Sequence, residues 1–245
     1  MIKARNHDDG LFVTITDNTI HHPNPESELR TLRQRIKGVQ TWFFDLDDNH
    51  APSPAKLIAR RAIGTSHFSP KYLQWCAGTA LQLTKKGKAA ESEIWKEYVD
   101  LFLRNEEALA EVQELFTPEY ARKSLYPGVE EFCGLISNSQ RFYVTRNIEQ
   151  GVSAYASILN FDGFFPEADD KERVVEDYVQ KHQGIQRYGI EGDSEEDAVM
   201  IEVLQFYKKD VVSFYSVDYP TFKEDRRFEY IIPKNRGELV QILQR

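Results

Sequence analysis

The chain has 245 residues, of which 41% are hydrophobic and 29% charged, and a formal net charge of −8. This composition fits a globular protein of one large domain or two small ones and excludes a disordered chain. The acidic balance argues against nucleic acid as the main partner, since a phosphate backbone is held by a basic face.

Residues 1–40 read as an N-terminal extension packing on the core. LFVTITDNTI (11–20) alternates apolar and polar like one half-exposed strand, and HHPNP (21–25) breaks it. Ser27 is the expected cap of a short helix carrying Leu29, Leu32 and Ile36, with Gly38 just past its end. VQTWFFDL (39–46) has the continuous apolar character of a strand buried on both faces. From 51 to 124 no strand pattern appears. Ile94, Tyr98, Leu101 and Phe102 share one helical stripe, Leu109, Val112 and Phe116 follow at similar spacing, and Thr117-Pro118 is a helix start. This block reads as a module of several helices.

After YPGV (126–129) helix and strand alternate again. VEEFCGLI is a helix with Phe132, Leu135 and Ile136 facing inward, RFYVT (141–145) a short buried strand, and 150–159 a helix. KERVVEDYVQKH (171–182) carries Val174, Val175, Tyr178 and Val179 on one helical side. YGIEGD (188–193) is strand then turn, EEDAVMIEVLQF (195–206) helix, DVVSFYSV (210–217) strand, FEYII (228–232) another strand, and RGELVQIL (236–243) a closing helix. Strands separated by helices imply an α/β fold, a Rossmann-like parallel sheet with helices on both faces.

Two cysteines, Cys76 and Cys133, belong to no CxxC pair, which argues against a zinc site or a disulfide framework. No stretch approaches membrane-spanning length, and MIKARNHDDG has no apolar signal core. We therefore expect no membrane partner, a cytoplasmic location, and a monomer or homodimer.

The chemistry lies in the acids. WFFDLDDNH (42–50) runs three large apolar residues into Asp45, Asp47 and Asp48. Carboxylates there repel one another and are costly to desolvate, so they sit in water at a turn or a cation joins them. In a parallel α/β sheet, ligands bind beyond the C-terminal ends of the strands. That rule brings together Asp45 and Asp47 from the first strand, Thr145 from the second, and Asp193 and Asp197 from the third. Converging carboxylates with oxygen-rich loops make a hard-cation site, with Mg²⁺ the usual occupant beside phosphate. One carboxylate can then attack phosphorus, a second can move the proton, and a lysine can offset the repulsion.

This combination resembles the haloacid dehalogenase-like superfamily of phosphohydrolases. WFFDLDDN (42–49) is similar to its first motif, YVTRN (143–147) to its second, Lys171 stands at a plausible spacing for its third, and EGDSEED (191–197) is similar to its fourth. YPGVEEF resembles the segment leading into the second motif. The resemblance spans roughly 40–243, and its specific part is these four motifs in order. It implies Asp45 as nucleophile and Mg²⁺ ligand, and Asp47 as general acid/base whose carbonyl also touches the metal. It implies Thr145 as phosphoryl-binding hydroxyl, Lys171 as neutralising cation, Asp193 as second carboxylate ligand and Asp197 as a supporting acid. Arg146 and Ser194 stand beside these as supporting residues. Asn49 departs from the pattern, which most often has Thr or Val there. Lys181 lies on the same helix as Lys171; the latter is favoured because it begins that helix near the acids.

The helical block 51–124 resembles the superfamily's C1-type cap, inserted between the core segments 41–50 and 125–245. Only residues 146–170 separate Thr145 from Lys171, too few for a second cap. A lid there implies a small phosphorylated metabolite as substrate, with Arg60, Arg61, His67, Lys71 and Trp75 as lid residues able to meet it. The function implied is Mg²⁺-dependent phosphomonoester hydrolysis through an aspartyl-phosphate. The alternatives are a phosphomutase on the same scaffold and a non-catalytic phosphate-binding or regulatory module that retains the site. The family also implies that the strand at 39–45 is central, flanked by those at 141–145 and 188–192, with 210–217 beyond.

Overall fold

The alternating segment at the start of the chain is two strands, not one. The computed structural model describes residues 13–16, 19–21, 24–53, 74, 77, 78, 81, 113–217 and 227–244. Among them β1 (Val13–Thr16) and β2 (Thr19–His21) pair antiparallel, with Ile15 opposite Ile20. Helix α1 (Pro25–Gly38) follows. Its cap is Asn24, whose side-chain oxygen accepts the Ser27 N–H, so the expected cap at Ser27 is corrected by one turn. Pro25 explains the shift: its fixed φ and missing N–H suit the first helical position, which places the cap just before it. Leu32 and Ile36 are buried, and the Arg33 guanidinium donates to the carbonyls of Ile242 and Leu243, tying α1 to the C-terminal segment.

Strand β3 (Thr41–Phe44) is buried at every position. A 3-10 turn (Gln113–Phe116) leads to α2 (Pro118–Ser124), capped by the Thr117 hydroxyl as the sequence predicts. Then come α3 (Val129–Leu135), β4 (Gln140–Val144), α4 (Glu149–Ile158), the short β5 (Gly163–Phe165), α5 (Lys171–Lys181) and β6 (Arg187–Gly192). The chain closes with α6 (Glu195–Phe206), β7 (Asp210–Val217), β8 (Tyr230–Pro233) and α7 (Gly237–Gln244). Leu135, expected inward, is 42% exposed. It is the last residue of a two-turn helix, and the inward face is held by Phe132 and Ile136, four apart.

The sheet order is β2-β1-β8-β7-β6-β3-β4-β5, and every neighbouring pair except β1/β2 is parallel. β3 lies between β4 and β6 with β7 beyond, as anticipated. Alternation along β3 sends Trp42 and Phe44 to one face and Phe43 to the other. On the first face Trp42 stacks on Phe214 at 5.7 Å, with α1, α3, α4 and α7 covering them through Leu32, Phe132, Val152 and Leu239. On the second, Phe43 meets Tyr178 of α5 edge-on at 5.1 Å, beside Ala198 and Ile201 of α6. Helices on both faces leave the C-terminal edge of the sheet as the open end.

Most of residues 51–124, expected from sequence to form a helical cap, lie outside the described residues, as do Cys76, Arg60, Arg61, His67, Lys71 and Trp75. Within that stretch Gln74, Ala77, Gly78 and Leu81 are helical, and α2 lies against α4 through a 2.7 Å contact between the Ser124 and Tyr155 hydroxyls. No helix among the described residues is long and apolar enough to cross a membrane.

Candidate active site

Asp45 continues β3 by one residue, its N–H donating to the Glu191 carbonyl at 2.9 Å. The chain then turns sharply. The N–H groups of Asn49 and His50 both point at the Leu46 carbonyl, and Asp48 N–H donates to Ala51. Asp48 takes φ 59°, a left-handed conformation unusual for a residue with a Cβ. This turn places the Asp47 carboxylate over the end of β4. There it accepts hydrogen bonds from the Thr145 hydroxyl (3.2 Å) and the Asn147 amide (3.4 Å).

Lys171 opens α5 and reaches the same point from the other face. Its ammonium lies 2.9 Å from Asp45 Oδ1 and 2.6 Å from Asp197 Oδ1, and it is almost wholly buried. Lys181, at the far end of the helix, is exposed. Asp197 is anchored on its other oxygen as well. Oδ2 accepts from the N–H groups of Asp193 and Ser194 (both 3.0 Å) and from the Ser194 hydroxyl (2.7 Å), while Ser194 caps α6. A Cβ at Gly192 would collide with the Asp197 side chain, so that close approach requires glycine. Arg146 is ion-paired with Glu196.

The structure thus gathers Asp45, Asp47, Thr145, Lys171, Asp193, Asp197 and Ser194 at one sheet edge. Carboxylate oxygens of Asp45, Asp193 and Asp197 lie within 4.8 Å of one another. The Asp47 carboxylate turns toward Thr145 and Asn147, away from this group, which leaves its expected contact with a metal to its backbone carbonyl. Asp197 already spends both oxygens on Lys171 and the α6 cap, so Asp45 and Asp193 are the carboxylates best able to take a cation.

The charge balance agrees. Burial chiefly drives the Asp45 pKa well above the usual carboxylate range; Lys171 opposes this, while Asp197, Asp193 and Asp47 add to it. Asp47 is pushed up to about 7 by burial and then Asp48, against hydrogen bonds from Thr145 and Asn147. Asp193 is pushed up to about 7 by burial and Asp197, with Lys234 in opposition. Burial works against the Lys171 charge, but Asp197 and Asp45 outweigh it and raise its pKa. The acids exceed the cations, and an all-oxygen set short of positive charge suits a hard divalent ion such as Mg²⁺.

Sequence comparison finds no matching family model and no matching curated protein. Comparison with solved structures does find matches. A Burkholderia xenovorans protein assigned as a haloacid dehalogenase-like hydrolase superimposes with a TM-score of 0.55 at 11% identity, over 84% of this chain and 97% of that one. A phosphoserine phosphatase, solved as an analogue of its phospho-aspartyl intermediate, gives 0.52 at 14% identity over 85% and 99%. Cytosolic 5′-nucleotidase IIIB bound to cytidine gives 0.53 at 11% identity over 89% and 90%. The chain has the haloacid dehalogenase-like hydrolase fold. In that fold the four quoted motifs fall on β3, β4, the start of α5 and the β6–α6 turn.

Two site residues escape the sequence reading. Asn147 stands inside YVTRN, where nothing in the sequence pattern marks it, and its amide holds Asp47. Lys234 follows β8 directly, and its ammonium lies 3.8 Å from Asp193 and 5.8 Å from the Tyr126 ring centre. Applying the strand-end rule to β8 would have found it.

Proposed function

We propose that this protein is a Mg²⁺-dependent phosphomonoester hydrolase acting on a small phosphorylated metabolite through an aspartyl-phosphate. The observation that carries the reading is the contrast between two neighbouring carboxylates. Asp45 is ion-paired to a buried lysine, whereas Asp47, two residues on, accepts hydrogen bonds only from the neutral Thr145 hydroxyl and Asn147 amide. Two acids held in different environments take different roles.

Asp45 attacks phosphorus, and the bond from phosphorus to the ester oxygen breaks. Asp47 gives its proton to the departing alkoxide. Asp47, now a carboxylate, takes a proton from water as that water attacks the phosphoryl group, returning Asp45 and releasing inorganic phosphate. Lys171, fixed by Asp197, lowers the repulsion between Asp45 and the dianion. The Thr145 hydroxyl orients Asp47 in the free protein and hydrogen-bonds a phosphoryl oxygen in the complex. Asp45 and Asp193, with the Asp47 carbonyl, would hold Mg²⁺. When bound it supplies Lewis-acid polarisation of the phosphoryl oxygens and charge neutralisation.

A carbon–halogen displacement has no use for an acid placed like Asp47. The sequence reading of a helical cap between β3 and β4 favours a small substrate, because a lid there would close over a metabolite and exclude water. The test is phosphate release from a panel of sugar, nucleotide and amino-acid phosphates, with Mg²⁺ and with chelator. Turnover that needs Mg²⁺ supports the reading. Folded protein that hydrolyses nothing across the panel contradicts it, and sugar bisphosphates among the products would make it a phosphomutase.

A further inference from the structure

A buried polar cluster lies directly beneath the nucleophile loop. Arg236 is 0% exposed and forms an ion pair with Glu191, also 0% exposed. Its Nε donates to Glu191 Oε1 at 2.8 Å, its Nη2 donates to the same oxygen, and its Nη1 donates to the Pro233 carbonyl. Nη2 also reaches Asn49, at 2.8 Å from Oδ1 and 3.2 Å from the backbone carbonyl. Asn49 in turn donates from Nδ2 to the carbonyls of Asp45 (3.0 Å) and Glu191 (3.4 Å).

The donor and acceptor inventory makes this arrangement directional. A guanidinium has donors only, so the Asn49 oxygen must face Arg236. The Asn49 NH₂ is then forced toward the Asp45 carbonyl. Of the two residues the resemblance implies at this position, a threonine offers one hydroxyl and lacks the reach to bridge both groups, and a valine offers no hydrogen bond. The position where this chain departs from the pattern is therefore one half of a strut, and Arg236 is the other half. The same arginine draws in two further segments. Its N–H donates to Pro127, and the Tyr126 N–H donates to His50 in the nucleophile loop.

We propose that Arg236 is a positioning residue. It fixes the Asn49 carboxamide, which holds the Asp45 main chain and so sets the bearing of the Asp45 carboxylate on phosphorus. The proposal rests on the reading of Asp45 as nucleophile. It goes beyond that reading by assigning a role to a residue that touches neither substrate nor metal.

Removing Arg236 alone strands Glu191 as a buried unpaired charge, so the informative variant is Arg236→Met with Glu191→Met, which removes both charges at similar volume. Circular dichroism and cooperative unfolding check that it folds. With p-nitrophenyl phosphate and Mg²⁺, kcat falls about 10- to 100-fold while KM stays within about threefold, the pattern of a misaimed reactive group. Asn49→Ala gives a similar loss, and combining it with the pair adds little, because both act through one contact. Amide hydrogen exchange of residues 45–51 rises in each variant. Wild-type kcat in the Met pair, or losses that multiply in the combination, would overturn the proposal. If the pair does not fold, Asn49→Ala against Arg236→Lys decides. Lysine keeps the charge beside Glu191, but its ammonium ends one bond short of the Nη2 position that contacts Asn49, so kcat falls without the stability loss; undiminished kcat in both overturns it. If wild-type protein hydrolyses nothing, the phosphatase reading fails, and exchange at 45–51 still decides whether Arg236 holds the loop.

Discussion

Replacing Asp193 by asparagine should make the metal-free protein more stable at alkaline pH. Asp193 is folded beside Asp197, its side chain is 22% exposed, and its pKa is raised from 3.8 to about 7. A carboxyl group with a raised pKa favours folding while it is protonated and opposes folding once it ionises. Its contribution is fully present below about pH 3.8, is lost as pH rises, and has become a full penalty above about pH 7. The span from 3.8 to about 7, at about 1.4 kcal/mol for each pH unit, corresponds to about 4 kcal/mol. Neighbouring acids share the proton load, so a net gain of about 2–4 kcal/mol is expected at pH 8. For a chain of this size that is a rise in Tm of about 4–16 °C. The assay is thermal and urea unfolding of wild type and Asp193→Asn in EDTA at pH 4 and pH 8. The two proteins should converge at pH 4 and separate at pH 8 with the variant above. Adding Mg²⁺ at about 100 times its Kd should then raise wild type by about 2.7 kcal/mol and the variant much less. An Asp193→Asn protein less stable than wild type at pH 8 without metal would refute the reasoning, because it would mean that the carboxylate is already satisfied by the protein.

Other perturbations test separate links. Asp47→Asn should fold normally and lose about 10²- to 10⁴-fold in kcat, most severely for alkyl phosphates, whose leaving groups need the proton; comparison with p-nitrophenyl phosphate measures the difference. Lys171→Met should cost about 3–5 kcal/mol in denaturant unfolding, since it strips a buried cation from Asp45 and Asp197. It should also abolish turnover, whereas Lys181→Ala at the exposed end of α5 should change stability by less than about 0.5 kcal/mol. Gly189→Ala should destabilise by about 1–3 kcal/mol, because the new methyl would run into the Trp42 ring under β6; retained Tm would show that the ring can yield.

The parallel sheet was legible because its strands announce themselves. TWFF and DVVSFYSV are apolar beyond what a half-exposed strand carries, and EEDAVMIEVLQF begins and ends where the helix does. The three-residue β5 was not legible, since GFF is too short to show a period. The split of 11–20 into β1 and β2 was also missed: Ile15 and Ile20 lie opposite each other across the hairpin, while one continuous alternation looks the same in sequence. The first-motif and fourth-motif acids were found because strand ends near Gly and Asp are local signals. The Arg236–Glu191–Asn49 cluster has no such signal. Arg236 heads a helix like any surface arginine, and its partners lie 45 and 187 residues away. Only the folded sheet, with β6 next to β7 and β7 next to β8, brings a fully buried arginine under the turn at residues 45–51.

If Asp45 is the nucleophile, it carries the phosphoryl group during each turnover. Mixing the protein with Mg²⁺ and a reactive phosphate ester, quenching in acid within a turnover, and sequencing the peptide spanning residues 42–50 by mass spectrometry tests it directly. The peptide should carry a phosphoryl group on Asp45, absent when the donor is omitted and absent in Asp45→Asn. Phosphate release that persists in Asp45→Asn, with an unmodified peptide in the wild type, would contradict it.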